Sequence, residues 1–312
     1  MTENDFREFP VDNASILFLS LIRPYHTNNF RFCAVMRCPV SPEALQEAVN
    51  RIHPRFPSVI AGFRQDFLQY KQVASQVPPV VQPDPGLLMP MTADELQNCC
   101  FRVYYMDCTI SIELFHALTD GSGAIAVLTA LVGEYLKIVC PDEAATDPLG
   151  EVQAHEVADA FLEMADAAPQ RLPSRFSYLL PRTEDADWSV RGSSLSLKTQ
   201  SLLDAAHRYG VTLNTLLTAV MAQSIMQIQV QERNGQKLKP VRIMAPINLR
   251  KMAGSKTLRN FSLYALPTLE PEQRNLSLQE LCDVISEQLK QQFSPEFQRG
   301  MVSSNVRIQS SL

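Results

Sequence analysis

Between Thr109 and Phe115 the chain alternates. Ile110, Ile112 and Leu114 fall on one side and Ser111, Glu113 and Phe115 on the other, a period of two that predicts a strand. Directly afterwards Ile125, Leu128, Leu131, Val132 and Tyr135 recur at helical spacing, which predicts a helix from Asp120 to about Lys137, with Pro141 beyond its end. The same reading runs along the rest of the first half. Residues 9–20 predict a short helical turn and residues 30–37 a strand. Ser41-Pro42-Glu43 opens a helix whose apolar face is Ala44, Leu45, Ala48, Val49 and Ile52 and which ends near Pro54. A strand is expected from Gly62 to Tyr70. Residues 78–90 hold too many prolines for a regular element. Residues 101–106 and 109–115 form a hairpin with Asp107-Cys108 at its tip.

Residues 151–167 read as an acidic helix. Residues 168–192 carry Pro169, Pro173, Pro181 and Gly192 with little periodicity, the pattern of a crossover. Beyond it a short strand is expected at 195–198, then a helix at 202–209 stopped by Gly210. A longer helix opens near Thr212 with an apolar stripe of Leu213, Leu216, Leu217, Val220, Ile225 and Ile228, read as core packing. Asn234-Gly235 reads as a turn, 241–246 and 261–266 as strands, and 276–293 as a helix. A polar tail follows Ser294-Pro295. The expected division is an N-terminal domain at 1–168, a linker at 169–192 and a C-terminal domain at 193–312.

Composition narrows the classes. A chain of 312 residues can form two ordinary domains with a large core. The formal net charge is -5 with no basic run, which argues against a nucleic-acid partner. Cys33, Cys38, Cys99, Cys100, Cys108, Cys140 and Cys282 are odd in number and show no metal-ligand spacing, so free thiols in a reducing cytoplasm are expected. The first residues are acidic rather than signal-like. No apolar run reaches the ~20 residues of a spanning helix, so a soluble protein with no membrane span is expected.

The candidate chemistry sits at the joint between the alternating strand and the helix, Phe115-His116-Ala117-Leu118-Thr119-Asp120-Gly121-Ser122-Gly123. His116 falls at the strand's C-terminal lip, where an imidazole can face a cleft. Asp120 falls at the helix N-cap, and Gly121 and Gly123 leave the first turn bare for a ligand or another backbone to approach. For a lone His near a lone Asp, a capping aspartate and an ordinary loop histidine are the usual explanation. No metal site is expected here, since His155 and His207 lie in unrelated segments and supply no third ligand. No Gly-x-Ser-x-Gly elbow is present, which weakens a serine-hydrolase reading.

The full string His-x-x-x-Asp-Gly on a strand-to-helix corner resembles the signature of the chloramphenicol acetyltransferase-like and condensation-domain superfamily of acyltransferases. Further pieces resemble its alcohol acetyltransferase branch: Arg55-Phe56-Pro57, the hairpin that delivers the motif, Gly210-Val211-Thr212-Leu213-Asn214, Asn248-Leu249-Arg250 and Asn260-Phe261. The resemblance implies an α/β (α+β) two-domain sandwich with a tunnel between the domains. His116 would be the catalytic base, and Asp120, Gly121 and Arg250 would structure the site, Asp120 pairing with Arg250. The commoner fate of a loop arginine is solvation. The resemblance also implies an acyl-CoA co-substrate, a small alcohol as acceptor and no bound cofactor. An amine acceptor with a carrier-protein thioester, as in condensation domains, and a non-catalytic member of the fold are the alternatives. Relatives continue further, so the second domain is expected to be incomplete and the oxyanion stabiliser is left unassigned. An imidazole suits general acid–base work because its unperturbed pKa is about 6.5.

Overall fold

The computed structural model describes residues 7–23, 28–66, 69–142, 148–180, 194–233 and 237–309. The Asn234-Gly235 turn and much of the expected linker lie outside them. In chain order the elements are β1 (Glu8–Pro10), α1 (Asn13–Ser20), β2 (Asn29–Val35), α2 (Pro42–Ile52), β3 (Ala61–Asp66), β4 (Gln69–Ala74), β5 (Gln82–Pro83), α3 (Ala93–Asn98), β6 (Phe101–Met106), β7 (Thr109–Phe115) and α4 (Gly121–Val139). There follow α5 (Ala154–Val157), α6 (Ala160–Met164), α7 (Thr199–Arg208), α8 (Leu213–Arg233), β8 (Val241–Arg242), β9 (Ala245–Asn248), α9 (Arg250–Ala253), β10 (Ser262–Ala265), β11 (Thr268–Leu269), α10 (Leu278–Gln292) and α11 (Pro295–Gln309).

The chain groups into two compact units. The first is Met1–Glu163 with Leu249–Phe261, and the second is Met164–Asn248 with Ser262–Leu312. The sequence division had placed residues 249–261 in the C-terminal domain. They leave the β9–β10 pair and count with the first unit, because Leu258, Arg259, Asn260 and Phe261 spend their hydrogen bonds there.

The first unit holds a four-stranded sheet in the order β2-β7-β6-β5 and a three-stranded sheet in the order β1-β4-β3. In the larger sheet β7 is antiparallel to both β2 and β6. Ile110, Ile112 and Leu114 project into a core shared with α2 and α4, through Leu45, Ala48, Val49, Ile52, Val127 and Leu131. Helix α2 starts as its sequence suggests, with the Ser41 side chain accepting from Ala44 N at 3.2 Å and Pro42 in the first turn.

The other side of β7 is not the solvent side that its polar residues suggest. Glu113 is wholly buried, and β-sheet register sets it opposite Arg31 on β2 and Arg102 on β6. Arg31 Nη2 donates to Glu113 Oε2 at 2.8 Å and Arg102 Nη1 to Oε1 at 2.7 Å. The same arginines reach Asp84, Leu87 O, Met89 O and Pro90 O, which fastens the proline-rich segment over this face. Segment 78–90 is irregular apart from the two-residue β5.

Other expectations need correction. The strand foreseen from Gly62 to Tyr70 is a hairpin, β3 and β4. The acidic helix is two short ones, since Asp159 breaks the run and its Oδ1 accepts from Phe161 N at 3.0 Å. No strand forms at 195–198, where Leu195 and Leu197 are exposed. The polar tail is helix α11, started by Ser294, whose Oγ accepts from Phe297 N at 3.3 Å.

The second unit packs α7, α8 and α10 against two antiparallel pairs, β9–β10 and β8–β11, around Leu216, Ala219, Met226, Leu281 and Ile285. The α10 glutamine Gln288 satisfies both backbone groups of Thr268 with its amide, at 2.7 and 2.8 Å, much as a neighbouring strand would. Among the described residues one helix, Gly121–Val139, is long and apolar enough to cross a membrane. Its apolar face, from Ala124 through Val127 and Leu131 to Tyr135, is spent on the core of the first unit.

Candidate active site

The corner that carries His116 is built from both sides. β7 ends at Phe115, and one further backbone bond, His116 N donating to Asn28 O at 2.9 Å, extends its ladder with β2. The peptide carbonyls that follow are held from behind. Asn260 Nδ2 lies 3.0 Å from both His116 O and Ala117 O, and Ser15 Oγ lies 2.7 Å from Ala117 O. Half-buried His116 stacks on Phe18, with ring centroids 4.3 Å apart and an interplanar angle of 18°. Phe30 approaches the same ring at 4.7 Å. Two phenyl rings leave the imidazole little freedom to turn. Its Nδ1 is buried without a hydrogen-bond partner, which leaves Nε2 as the nitrogen available for chemistry.

Asp120 is the N-cap of α4, and its two oxygens divide the work. Oδ1 accepts from Ser122 N at 3.1 Å and Gly123 N at 3.4 Å, satisfying helix donors that have no partner within the helix. Oδ2 accepts from Arg250 Nη1 at 2.7 Å and from Phe261 N at 2.9 Å. Arg250 is not a solvated charge. Its side chain is 13% exposed, and it also donates to Thr257 O at 2.8 Å and Arg259 O at 2.6 Å. The pair joins distant stretches of sequence yet lies inside the first unit.

Gly121 and Gly123 separate in the structure. A Cβ on Gly121 would meet only the Phe32 ring, at 3.5 Å, which is ordinary contact. A Cβ on Gly123 would fall 2.1 Å from Thr119 Oγ1 and 2.2 Å from Leu258 O. The close backbone approach expected at this turn is therefore made at Gly123, by the same segment that supplies Arg250. Gly121 is not sterically obliged to be glycine.

Sequence reading passed over the residues behind the corner. Asp12, the N-cap of α1, is wholly buried. Its Oδ1 accepts from Ser15 N at 2.7 Å, and its Oδ2 lies 3.4 Å from Arg259 Nη2. Burial is the largest influence on its carboxyl and raises its pKa from 3.8 to about 6, while the Arg259 charge pulls the other way. Asp159, near the same guanidinium, is also raised by burial. The signal for Asp12 was present as a capping residue two places after a proline, Pro10-Val11-Asp12, but periodicity does not reveal burial. A cavity of about 440 Å³ belongs to the second unit and is lined by Arg171, Arg175, Arg242 and glutamines; none of the site residues above lines it. Among the described residues no group of three His, Cys, Asp or Glu side chains is placed to hold a metal ion.

No family model and no curated protein matches the sequence. Solved structures do match the fold. Polyketide synthase associated protein 5 from Mycobacterium tuberculosis is 15% identical with a TM-score of 0.63, over 96% of this chain and 75% of that one. F. sporotrichioides TRI101 complexed with coenzyme A and T-2 is 10% identical with a TM-score of 0.65, over 98% and 78%. The epimerization domain from the third module of tyrocidine synthetase B is 14% identical with a TM-score of 0.61, over 96% and 74%. At these identities the likeness is one of fold: the chain has the chloramphenicol acetyltransferase-like fold that these structures share.

Proposed function

We propose that the protein is an acyltransferase in which His116 moves a proton between a hydroxyl acceptor and an acyl thioester. The observation that carries the reading is the His-x-x-x-Asp-Gly corner itself, with Asp120 locked by Arg250 and the imidazole fixed between Phe18 and Phe30. A fixed imidazole with one available nitrogen is what general base catalysis needs. His116 Nε2 takes the proton as the acceptor oxygen attacks the thioester carbonyl carbon. The tetrahedral intermediate collapses with cleavage of the C–S bond, and the imidazolium returns the proton to the departing thiolate. The products are an ester and a free thiol, with no covalent acyl-enzyme. Acid–base help of this kind gives about 10²–10⁴-fold, and positioning of the two substrates supplies more.

Coenzyme A thioesters are the favoured donors, because a fold neighbour was solved with coenzyme A, and acetyl-CoA, the smallest common one, is tested first. The second reading is condensation from a carrier-protein thioester onto an amine, favoured by the condensation and epimerization domains among the neighbours. A panel of alcohols and amines, with acetyl-CoA in one arm and an acylated carrier protein in the other, separates the two by thiol release. Release that depends on an alcohol and on acetyl-CoA is the expected result. No acceptor-dependent release from either donor would favour a non-catalytic member of the fold.

A further inference from the structure

Behind the corner a proton count does not close. Ser15 Oγ lies 2.7 Å from Ala117 O and 2.9 Å from Asp12 Oδ1. A serine hydroxyl has one proton to donate. Both oxygens are acceptors while Asp12 is ionised, so only one of the two contacts can then be a full hydrogen bond. A carboxylate is the stronger acceptor, since charge on one partner strengthens a hydrogen bond. Ionised Asp12 therefore draws the Ser15 proton away from Ala117 O, which is left to Asn260 alone. When Asp12 takes up a proton from solvent, the count closes. The acid O–H on Oδ1, which keeps a lone pair for Ser15 N, donates to Ser15 Oγ, and the Ser15 O–H donates to Ala117 O.

The charged groups acting on Asp12 are Arg259, whose guanidinium favours the ionised form, and Asp159, whose carboxylate opposes it. Together with burial they bring the Asp12 carboxyl to about 6, within reach of ordinary working pH. Ser15 and Asn260 touch the peptide carbonyls at His116 and Ala117, and Asp12 reaches them only through Ser15.

We propose that Ser15 is a positioning residue that relays the ionisation of Asp12 to the Ala117 carbonyl, and so makes the seat of His116 depend on pH. The proposal rests on the reading of His116 as the working residue only for its effect on turnover. The relay itself exists whether or not the protein turns over a thioester.

The test reads the carbonyl directly. In the 13C,15N-labelled protein, the Ala117 carbonyl shift is followed through the Leu118 amide from pH 5 to 8. His116→Gln is titrated beside the wild type, because imidazoles as a class titrate in this range. A step with a midpoint near pH 6 is expected in both proteins. It should vanish in Ser15→Ala, where the relay is cut, and in Asp12→Asn, where the acid is gone. Either loss alone supports the relay if the other variant fails to fold. A flat Ala117 carbonyl in His116→Gln, or a step that persists in Ser15→Ala, overturns it. In an active protein the same step should appear as an extra ionisation in the kcat profile, absent from Ser15→Ala, with KM little changed. Absence of acyl transfer with the carbonyl step intact would sink the acyltransferase reading and leave the relay standing.

Discussion

Removing either partner of the Asp120–Arg250 pair should destabilise the protein, and unequally. Asp120→Ala takes away four accepted hydrogen bonds at once, from Ser122 N, Gly123 N, Phe261 N and Arg250 Nη1. Loss of a cap costs about 1 kcal/mol. Leaving a largely buried guanidinium without its carboxylate costs roughly 3–5 kcal/mol. The Arg250 side chain is 13% exposed and keeps two backbone carbonyls as acceptors, so the lower end of that range applies. Asp120→Ala should therefore cost about 4 kcal/mol. Arg250→Ala leaves Asp120 with three backbone N–H donors, so its carboxylate is not stranded, and the cost should fall nearer about 3 kcal/mol. The double variant should cost clearly less than the sum, with a coupling energy of about 1–3 kcal/mol. Urea unfolding followed by circular dichroism measures all four proteins. If the alanine variants do not fold, Asp120→Asn and Arg250→Gln close the same cycle. Additivity within about 0.5 kcal/mol would refute the pair as an energetic unit.

Three further outcomes are expected. Gly123→Ala should lower Tm sharply and impair activity, because its Cβ would overlap Leu258 O and Thr119 Oγ1, whereas Gly121→Ala should be tolerated against Phe32; equal effects in thermal melts would contradict the close approach. Glu113→Gln leaves Arg31 and Arg102 facing each other without a charge between them, and should cost roughly 3 kcal/mol by urea unfolding and loosen segment 84–90 in hydrogen exchange; an unchanged melt would mean the two arginines are satisfied by Asp84 and Glu95. Asp12 is raised from 3.8 to about 6, so the folded state binds its proton more tightly than the unfolded chain does. This group should make the protein more stable as pH falls from about 7 towards 4 and contribute no slope well above about 7. Asp12→Asn should flatten that part of the stability profile, and an unchanged slope would show that other groups produce it.

The parts of the fold legible in the sequence were those with one dominant local signal. β7 and α4 show clean periods of two and 3.6, and Ser41-Pro42-Glu43 announces α2. The same signal at Ser294-Pro295-Glu296 announces α11 and went unread, because the polar residues after it suggested a tail. At the site, the division of Asp120 between helix cap and Arg250 follows from the geometry of a carboxylate and was foreseeable. Placement of residues 249–261 was not. Its cause lies in hydrogen bonds such as Asn260 to His116 O, 144 residues away in sequence. Burial of Glu113 was hidden for a related reason. Alternation marks it as a polar-face residue, and only pairing with Arg31 and Arg102 on adjacent strands makes a buried carboxylate tolerable.

The central claim is that the imidazole of His116 carries the proton in acyl transfer, and one comparison tests it most directly. Acceptor-dependent thiol release from acetyl-CoA is measured for the wild type and for His116→Gln, with circular dichroism confirming that both are folded. The account predicts a fall of at least about 10²-fold in kcat with the fold unchanged. Wild-type turnover by folded His116→Gln would contradict it.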